Sequence, residues 1–195
     1  MSVREIFSFV AALLHAAGFV PYARAILRKE AKPAKASWLI WAGVDSIVIA
    51  GMYAEHSVNG QIVAAVLGAW VIALIALRFG TPGWTRLDRF CLGGAVLGIA
   101  LWCIFSEPIL GIVTSLSVVF LGSIPTFVSA WDNPSRENRT AWILFWLSCL
   151  CMVVAVPSLK LADAAQPITF LTIDSTMIYV LCVRARSTAL CRERL

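Results

Sequence analysis

Long apolar stretches dominate this sequence and limit what it can fold into. Each stretch holds about 20 residues with few charges, which is the length an α-helix needs to cross the hydrocarbon core of a bilayer. The chain of 195 residues is 60% hydrophobic and only 14% charged, whereas a typical soluble domain is about 25% charged. The sequence therefore predicts an all-α integral membrane protein with too little polar sequence left for a separate domain outside the lipid bilayer.

Breaks rich in charge, Pro or Gly divide the apolar sequence into seven predicted transmembrane helices. We place these helices at about residues 4–28, 36–55, 61–79, 87–105, 108–131, 140–157 and 165–184.

The basic residues indicate how the helices are oriented. Of the 16 Lys and Arg residues, all except Arg4 and Lys160 fall on one side of the membrane under this assignment. Because cytoplasmic loops are rich in Lys and Arg, we expect the N-terminus outside and the C-terminus in the cytoplasm, with a bacterial inner membrane as the location. The net charge of +5 does not predict nucleic-acid binding, since the basic residues lie in loops between apolar segments.

An internal repeat appears when the chain is shifted by 104 residues. The shift aligns a helix-breaking proline, a basic loop and a tryptophan of the following helix. The matches are Gly18 and Pro21 with Gly122 and Pro125, Lys32 and Lys35 with Arg136 and Arg139, and Trp38 with Trp142. They predict a first three-helix repeat at residues 1–80, a linker helix at 81–106, and a second repeat at 107–195 that ends in a short cytoplasmic tail. A single linker helix gives both repeats the same orientation, as in parallel-repeat transporters.

This arrangement of three, one and three helices, with Gly-x-x-Pro in the first helix of each repeat, resembles the PQ-loop and SWEET superfamily. The glutamine that follows the proline in that superfamily is absent, because Tyr22 and Thr126 occupy these positions. The resemblance implies a secondary transporter of a small polar organic solute such as a sugar, amino acid, nucleoside or organic cation, with protons as candidate coupling ions. Other relatives are receptors or accessory proteins, so a non-transporting receptor or scaffold is the alternative.

Three ionisable residues lie near the midpoints of predicted helices: His15, Asp45 and Asp174. An ionised aspartate at the bilayer centre costs about 2.5–3.5 kcal/mol, so these residues are expected to face a cavity or a partner. The alternative is a protonated aspartate that joins two helices through a hydrogen bond. The repeat aligns Asp174 with Trp70, and the resemblance implies that their helices face each other across a central cavity, where a carboxylate and an aromatic ring suit a sugar, nucleoside or organic cation.

Two further pairs of residues are candidates on the strength of the resemblance and the repeat. Trp41 and Trp146 lie about one turn beyond Trp38 and Trp142, and the resemblance implies that they cap the cavity. We expect Trp38 and Trp142 to be interfacial anchors, a role that also remains open for Trp41 and Trp146. Pro21 and Pro125 each remove a backbone hydrogen bond and are candidate hinges, with a static kink as the alternative.

Other features of the sequence bear on partners and chemistry. Gly94 and Gly98 fit close helix packing, either within the chain or in a homo-oligomer. The sequence contains no pattern typical of a nucleophile with its base, a phosphate loop or a metal site, so we expect a protein that is not an enzyme and needs no cofactor or metal. The carboxylates at the bilayer centre favour transport of a solute over a scaffold role.

Overall fold

The computed structural model describes residues 2–33, 35–80 and 86–184, with only the backbone described at positions 87, 88, 91, 125, 136 and 184. All regular structure in these ranges is helical. The α-helices are α1 (Val3–Leu27), α2 (Lys35–Ala54), α3 (Gly60–Phe79), α4 (Arg86–Phe105), α5 (Pro108–Asp132), α6 (Arg139–Ala155) and α7 (Leu161–Tyr179). A 3-10 turn at Pro134–Arg136 precedes α6, and a π-helical segment at Val180–Arg184 extends α7.

Five helices in the described chain are long and apolar enough to cross a membrane, namely α1, α2, α3, α5 and α7 with its extension. The apolar parts of α4 (Leu92–Phe105) and of α6 are shorter. Large apolar side chains cover the outer surface of the bundle, as Leu67 and Leu74 of α3 illustrate with exposed fractions of 65% and 62%. Such a surface suits lipid and not water, and the chain is an integral membrane protein built of helices.

The predicted boundaries of the first six helices lie within two residues of those observed, whereas α7 begins earlier than predicted. It starts at Leu161 instead of residue 165, and Asp163 places a negative charge in its first turn, where the helix dipole favours one. Gln166, at the start of the predicted helix, is a buried residue well inside the first turns of α7. α6 ends at Ala155 because Val156 precedes Pro157 and takes a non-helical conformation with a ψ of 123°.

The helices pack in two groups of three, with α4 outside them. α3 packs against both α1 and α2, and α7 packs against both α5 and α6. The two groups meet where α1 packs along α6 and where α2 packs along α5. α4 packs mainly against α5 and also touches α2. These contacts enclose the space between the two groups.

Small residues allow the closest of these contacts. A Cβ at Gly18 would lie 2.5 Å from Cε1 of Phe145, so the glycine of the first Gly-x-x-Pro sequence makes room for a ring of α6. A Cβ at Gly94 would lie 2.8 Å from Cγ2 of Val118, and one at Gly98 would meet Thr114. The Gly94 and Gly98 pair therefore packs α4 against α5 within the chain.

The two candidate hinge prolines lie inside helices that continue past them. Pro21 lies within α1, six residues before the helix ends. Position 125 lies within α5, where only its backbone is described. A further proline, Pro167, lies inside α7 and is fully buried. The helices thus tolerate the missing backbone hydrogen bonds without ending, and the hinge role remains a prediction.

Candidate functional site

A cavity of about 80 Å³ lies between the two groups of helices. All helices except α4 contribute to its wall, and the lining residues in the described chain are His15, Phe19, Trp38, Trp41, Asp45, Ala65, Ala69, Val119, Ser123, Trp142, Phe145, Phe170, Ile173 and Asp174. Its volume is that of about two or three water molecules in the liquid. Pockets for drug-sized ligands measure roughly 300–1,000 Å³, so the cavity in this conformation fits only a very small solute.

The structure brings the three predicted ionisable residues together in this cavity. His15, Asp45 and Asp174 all line it, and their exposed fractions are 6%, 5% and 6%. The Sγ of Cys149 donates a hydrogen bond to Oδ2 of Asp174 at 3.1 Å. In contrast, Oδ1 of Asp45 and Nδ1 of His15 have no hydrogen-bond partner among the described residues. Buried polar atoms are usually paired, so these atoms are candidates for solute contacts.

Aromatic rings form most of the remaining wall. The ring of His15 lies 4.9 Å from that of Phe145 and 6.1 Å from that of Phe170, measured between centroids. Phe19 lies 4.9 Å from Phe145, so rings from both groups of helices meet beside His15. The polar atoms of the cavity are therefore set in an apolar, aromatic surrounding.

Trp38, Trp41 and Trp142 also belong to the cavity wall. Trp38 and Trp142, which we expected to anchor the protein at the membrane interface, are buried, with exposed fractions of 6% and 4%. An interfacial anchor would present its ring to the lipid headgroups, so the anchoring prediction is wrong for both. Trp41 lines the cavity as expected for a capping residue, and its Nε1 has no partner in the part of the chain that the structure describes.

Trp70 and Trp146 do not line the cavity formed by the described residues, contrary to prediction. Trp70 is 42% exposed and donates from Nε1 to Oγ of Ser46 at 3.1 Å. Trp146 is partly exposed and donates from Nε1 to Oγ of Ser175 at 3.0 Å.

Residues one position earlier, Ala69 and Phe145, line the cavity in place of Trp70 and Trp146. One residue rotates a helical side chain by about 100° around the axis. This rotation turns Trp70 away from the cavity. Asp174 consequently faces the cavity without the predicted tryptophan opposite it.

The shift of 104 residues found in the sequence also relates much of the cavity wall to itself. The pairs at this spacing, all within the lining, are His15 with Val119, Phe19 with Ser123, Trp38 with Trp142, Trp41 with Phe145, and Ala69 with Ile173. The two carboxylates break the pattern, since the shift aligns Asp45 with Cys149 and Asp174 with Trp70. Most of the cavity wall thus follows the repeat, whereas each of the two carboxyl groups occurs in one half of the repeat only.

A buried polar network that we did not predict leads from Asp174 toward the end of the bundle where α3 begins. Nε2 of Gln61 donates to Oγ of Ser148 at 2.9 Å and to Sγ of Cys149 at 3.3 Å. Nε2 of Gln166 donates to Oε1 of Gln61 at 3.1 Å, and Asn59 donates to Gln166 at 3.0 Å. These bonds join α3 to both α6 and α7, and therefore join the two groups of helices.

A second unpredicted cluster joins the two groups toward the other end. Oε2 of Glu137, in the loop before α6, accepts hydrogen bonds from the Tyr22 hydroxyl at 3.2 Å and from Nε1 of Trp142 at 3.0 Å. Burial raises the pKa of Glu137 to about 7, although both hydrogen bonds act to lower it. The charge of this carboxylate therefore changes near neutral pH.

Neither a protein-family model, a curated protein nor a solved structure matches this chain.

Proposed function

We propose that this chain is a secondary transporter that moves a small polar organic solute across the membrane by alternating access. The observation that carries the proposal is the cavity between the two groups of helices, in which buried polar atoms of His15, Trp41 and Asp45 lack partners among the described residues. An unpaired buried polar group costs about 1–3 kcal/mol. A binding site for a polar solute explains why such unpaired groups are present, because the solute pairs with them. A scaffold has no use for unpaired polar groups in its interior.

The architecture that we propose has seven membrane spans in two parallel repeats of three helices, with α4 as the linker. The helix contacts support it, because exchanging α1, α2 and α3 for α5, α6 and α7 reproduces the six most closely packed pairs among these helices. This exchange is expected for a twofold axis along the membrane normal. The 17 residues of α6 extend for about 26 Å, close to the roughly 30 Å of the hydrocarbon core.

This pattern also supports membership of the PQ-loop and SWEET-like superfamily. We place the protein in a bacterial inner membrane with the N-terminus outside, on the basis of the distribution of Lys and Arg.

The contacts at the two ends of the cavity support alternating access. Toward one end, Gln61 and Gln166 connect the two groups of helices. Toward the other end, the hydrogen bond between Tyr22 and Glu137 connects them. In the proposed cycle these two sets of contacts break in turn, so that the solute reaches the cavity from one side of the membrane at a time. The cavity then widens on the open side.

Uptake by purified protein in proteoliposomes tests this proposal. Labelled amines, sugars, amino acids and nucleosides are offered with and without a pH gradient, and protein-free liposomes serve as the control. We expect saturable uptake or exchange of at least one solute. If a folded, monodisperse protein moves none of them under any gradient, the receptor or scaffold alternative replaces the transporter.

A further inference from the structure

The ionisable groups of the cavity are unbalanced in charge. Asp45 and Asp174 contribute two carboxyl groups, and His15 is the remaining ionisable lining residue in the described ranges. No Lys or Arg is among the lining residues that the structure describes. A buried carboxylate needs a positive partner or a hydrogen-bond donor, and the described protein supplies Asp45 Oδ1 with neither. We therefore expect the ligand to donate a hydrogen bond to Asp45, and a ligand that is a cation also neutralises the negative charge of this carboxylate.

The wall around these carboxyl groups is suited to a cation. It contains the rings of Phe19, Phe145 and Phe170 as well as three tryptophans. The face of an aromatic ring carries partial negative charge and attracts an organic cation that lies within about 6 Å of its centre. This attraction is stronger for groups that are removed from bulk water, and His15, Asp45 and Asp174 are each at most 6% exposed.

Size and polarity argue against the other solute classes. A cavity of about 80 Å³ is too small in this conformation for a sugar or nucleoside, which also needs many hydrogen-bond partners. An amino acid brings a carboxylate, and the described lining has no Lys or Arg to pair with it. A small amine avoids both difficulties because its ammonium group donates to Asp45 and its short carbon chain contacts the rings.

We propose that the cavity is a binding site for a compact organic ammonium ion, held between Asp45 and the aromatic rings. Passage of this ion across the membrane rests on the proposed transporter function. Its binding in the cavity does not. Ethylammonium is the simplest probe. Ethanolammonium adds a hydroxyl oxygen that can accept a hydrogen bond from the unpartnered Nε1 of Trp41.

Tryptophan fluorescence of the purified protein provides a binding assay, since Trp38, Trp41 and Trp142 line the cavity. Ethylammonium, ethanolammonium, glycine, glucose and sodium are titrated as chloride or neutral solutions at constant ionic strength. We expect a saturable change with the two ammonium ions, tighter binding of ethanolammonium, and no saturable change with the other solutes. Tighter binding of glycine or glucose than of both ammonium ions would overturn the proposal.

Two substitutions at Asp45 and one elsewhere test the site directly. Asp45→Asn removes the charge and should weaken ammonium binding at least tenfold, whereas Asp45→Glu should retain binding within about tenfold. Asp132→Asn alters an exposed carboxylate at the end of α5 and should bind as the wild type does. A folded Asp45→Asn protein that binds ethylammonium as tightly as wild type contradicts the proposal. If this variant does not fold, the solute selectivity of the wild-type protein still tests the proposal.

Uptake of the same solutes into proteoliposomes separates the two proposals. Ammonium ions that bind but never cross the membrane would refute the transporter while leaving the binding site in place. Transport of glucose or glycine without binding of either ammonium ion would refute the solute class while leaving the transporter in place.

Discussion

Asp174 and Asp45 share one cavity but differ in their hydrogen bonds. Asp174 accepts from the thiol of Cys149, which in turn accepts from Gln61, so it is joined to the network between the two groups of helices. Asp45 has an unpartnered oxygen in the described structure. This difference suggests a division of roles in which Asp45 contacts the solute and Asp174 responds to the state of the network. Asp174 is thus the better candidate for proton coupling.

Asp174→Asn is the first test of coupling. Asparagine resembles a protonated aspartate in shape but cannot release a proton, so solute exchange should continue while accumulation driven by a pH gradient is lost. Asp174→Ala should also weaken solute binding, because it leaves the Cys149 thiol without its acceptor and so disturbs the wall of the cavity. Both are measured in proteoliposomes, with Asp132→Asn as the control. If Asp174→Asn concentrates solute as well as wild type does, Asp174 does not couple protons and Asp45 becomes the residue to test.

Glu137 should make stability depend on pH. Its pKa is about 7 in the folded protein and near 4.3 when unfolded, so the folded state keeps a proton that the unfolded state has lost. The contribution of Glu137 to stability is therefore fully present below about pH 4 and is lost as the pH rises to about 7, by up to roughly 3 kcal/mol. Glu137→Gln should reduce the fall in melting temperature between pH 5 and pH 7.5.

Glu107→Gln is the matched control for this measurement, since Glu107 is exposed before α5 and its side chain makes no capping hydrogen bond. An equal pH dependence in wild type and Glu137→Gln would show that the carboxyl is already solvated in the folded protein.

At the level of single residues, the sequence indicated the site where placing a residue in the membrane requires an unusual free energy. Ionisable residues at the centre of apolar helices are unfavourable in the bilayer, and His15, Asp45 and Asp174 could be assigned to a cavity for that reason. Glu137 could not, because a carboxylate in a polar loop carries no such signal and one of its two partners, Tyr22, comes from a distant part of the chain.

The contact between α1 and α6 depends on the absence of a side chain at Gly18. Gly18→Ala would place a Cβ about 2.5 Å from the Phe145 ring, and relief of such overlap typically costs about 1–3 kcal/mol. We expect a lower melting temperature in detergent. Gly43→Ala is the control, because no side chain or other helix in the described part of the protein comes within 4 Å of the added Cβ and alanine favours a helix.

Rescue distinguishes overlap from other causes of instability at this position. Adding Phe145→Leu to Gly18→Ala should restore part of the lost stability, since the smaller side chain makes room for the methyl group. A Gly18→Ala protein as stable as wild type would mean that α1 and α6 are not so closely packed.

At the level of helices, existence and approximate ends could be predicted from apolar length, but rotation could not. We predicted that Trp70 and Trp146 face the cavity, yet Ala69 and Phe145 line it in the described structure. Sequences of helices that are apolar on all sides give little information on which side faces inward. The repeat did contain the answer for α6, because the shift of 104 residues aligns Trp41 with Phe145 and not with Trp146.

The orientation of the whole molecule can be tested at two loops. Because cytoplasmic loops are rich in Lys and Arg, we expect the loop before α2 to face the cytoplasm and the loop before α3 to face outside. Single cysteines are introduced as Lys32→Cys and Ser57→Cys and treated on intact cells with a reagent that does not cross membranes, with wild type as the background. Only Ser57→Cys should gain label. Labelling of Lys32→Cys alone would reverse the topology.

The number of spans and the parallel relation of the repeats can be tested with the matching loops of the second group of helices. In parallel repeats, the loop before α7 lies on the side of Ser57 and the loop before α6 lies on the side of Lys32. Leu159 is 92% exposed, and Leu159→Cys should therefore react with the reagent from outside. Ser135→Cys should react only after the membrane is permeabilised. If α4 and α6 did not cross the bilayer, both positions would face outside, and labelling of Ser135→Cys on intact cells would reduce the chain to the five spans formed by its longest apolar helices.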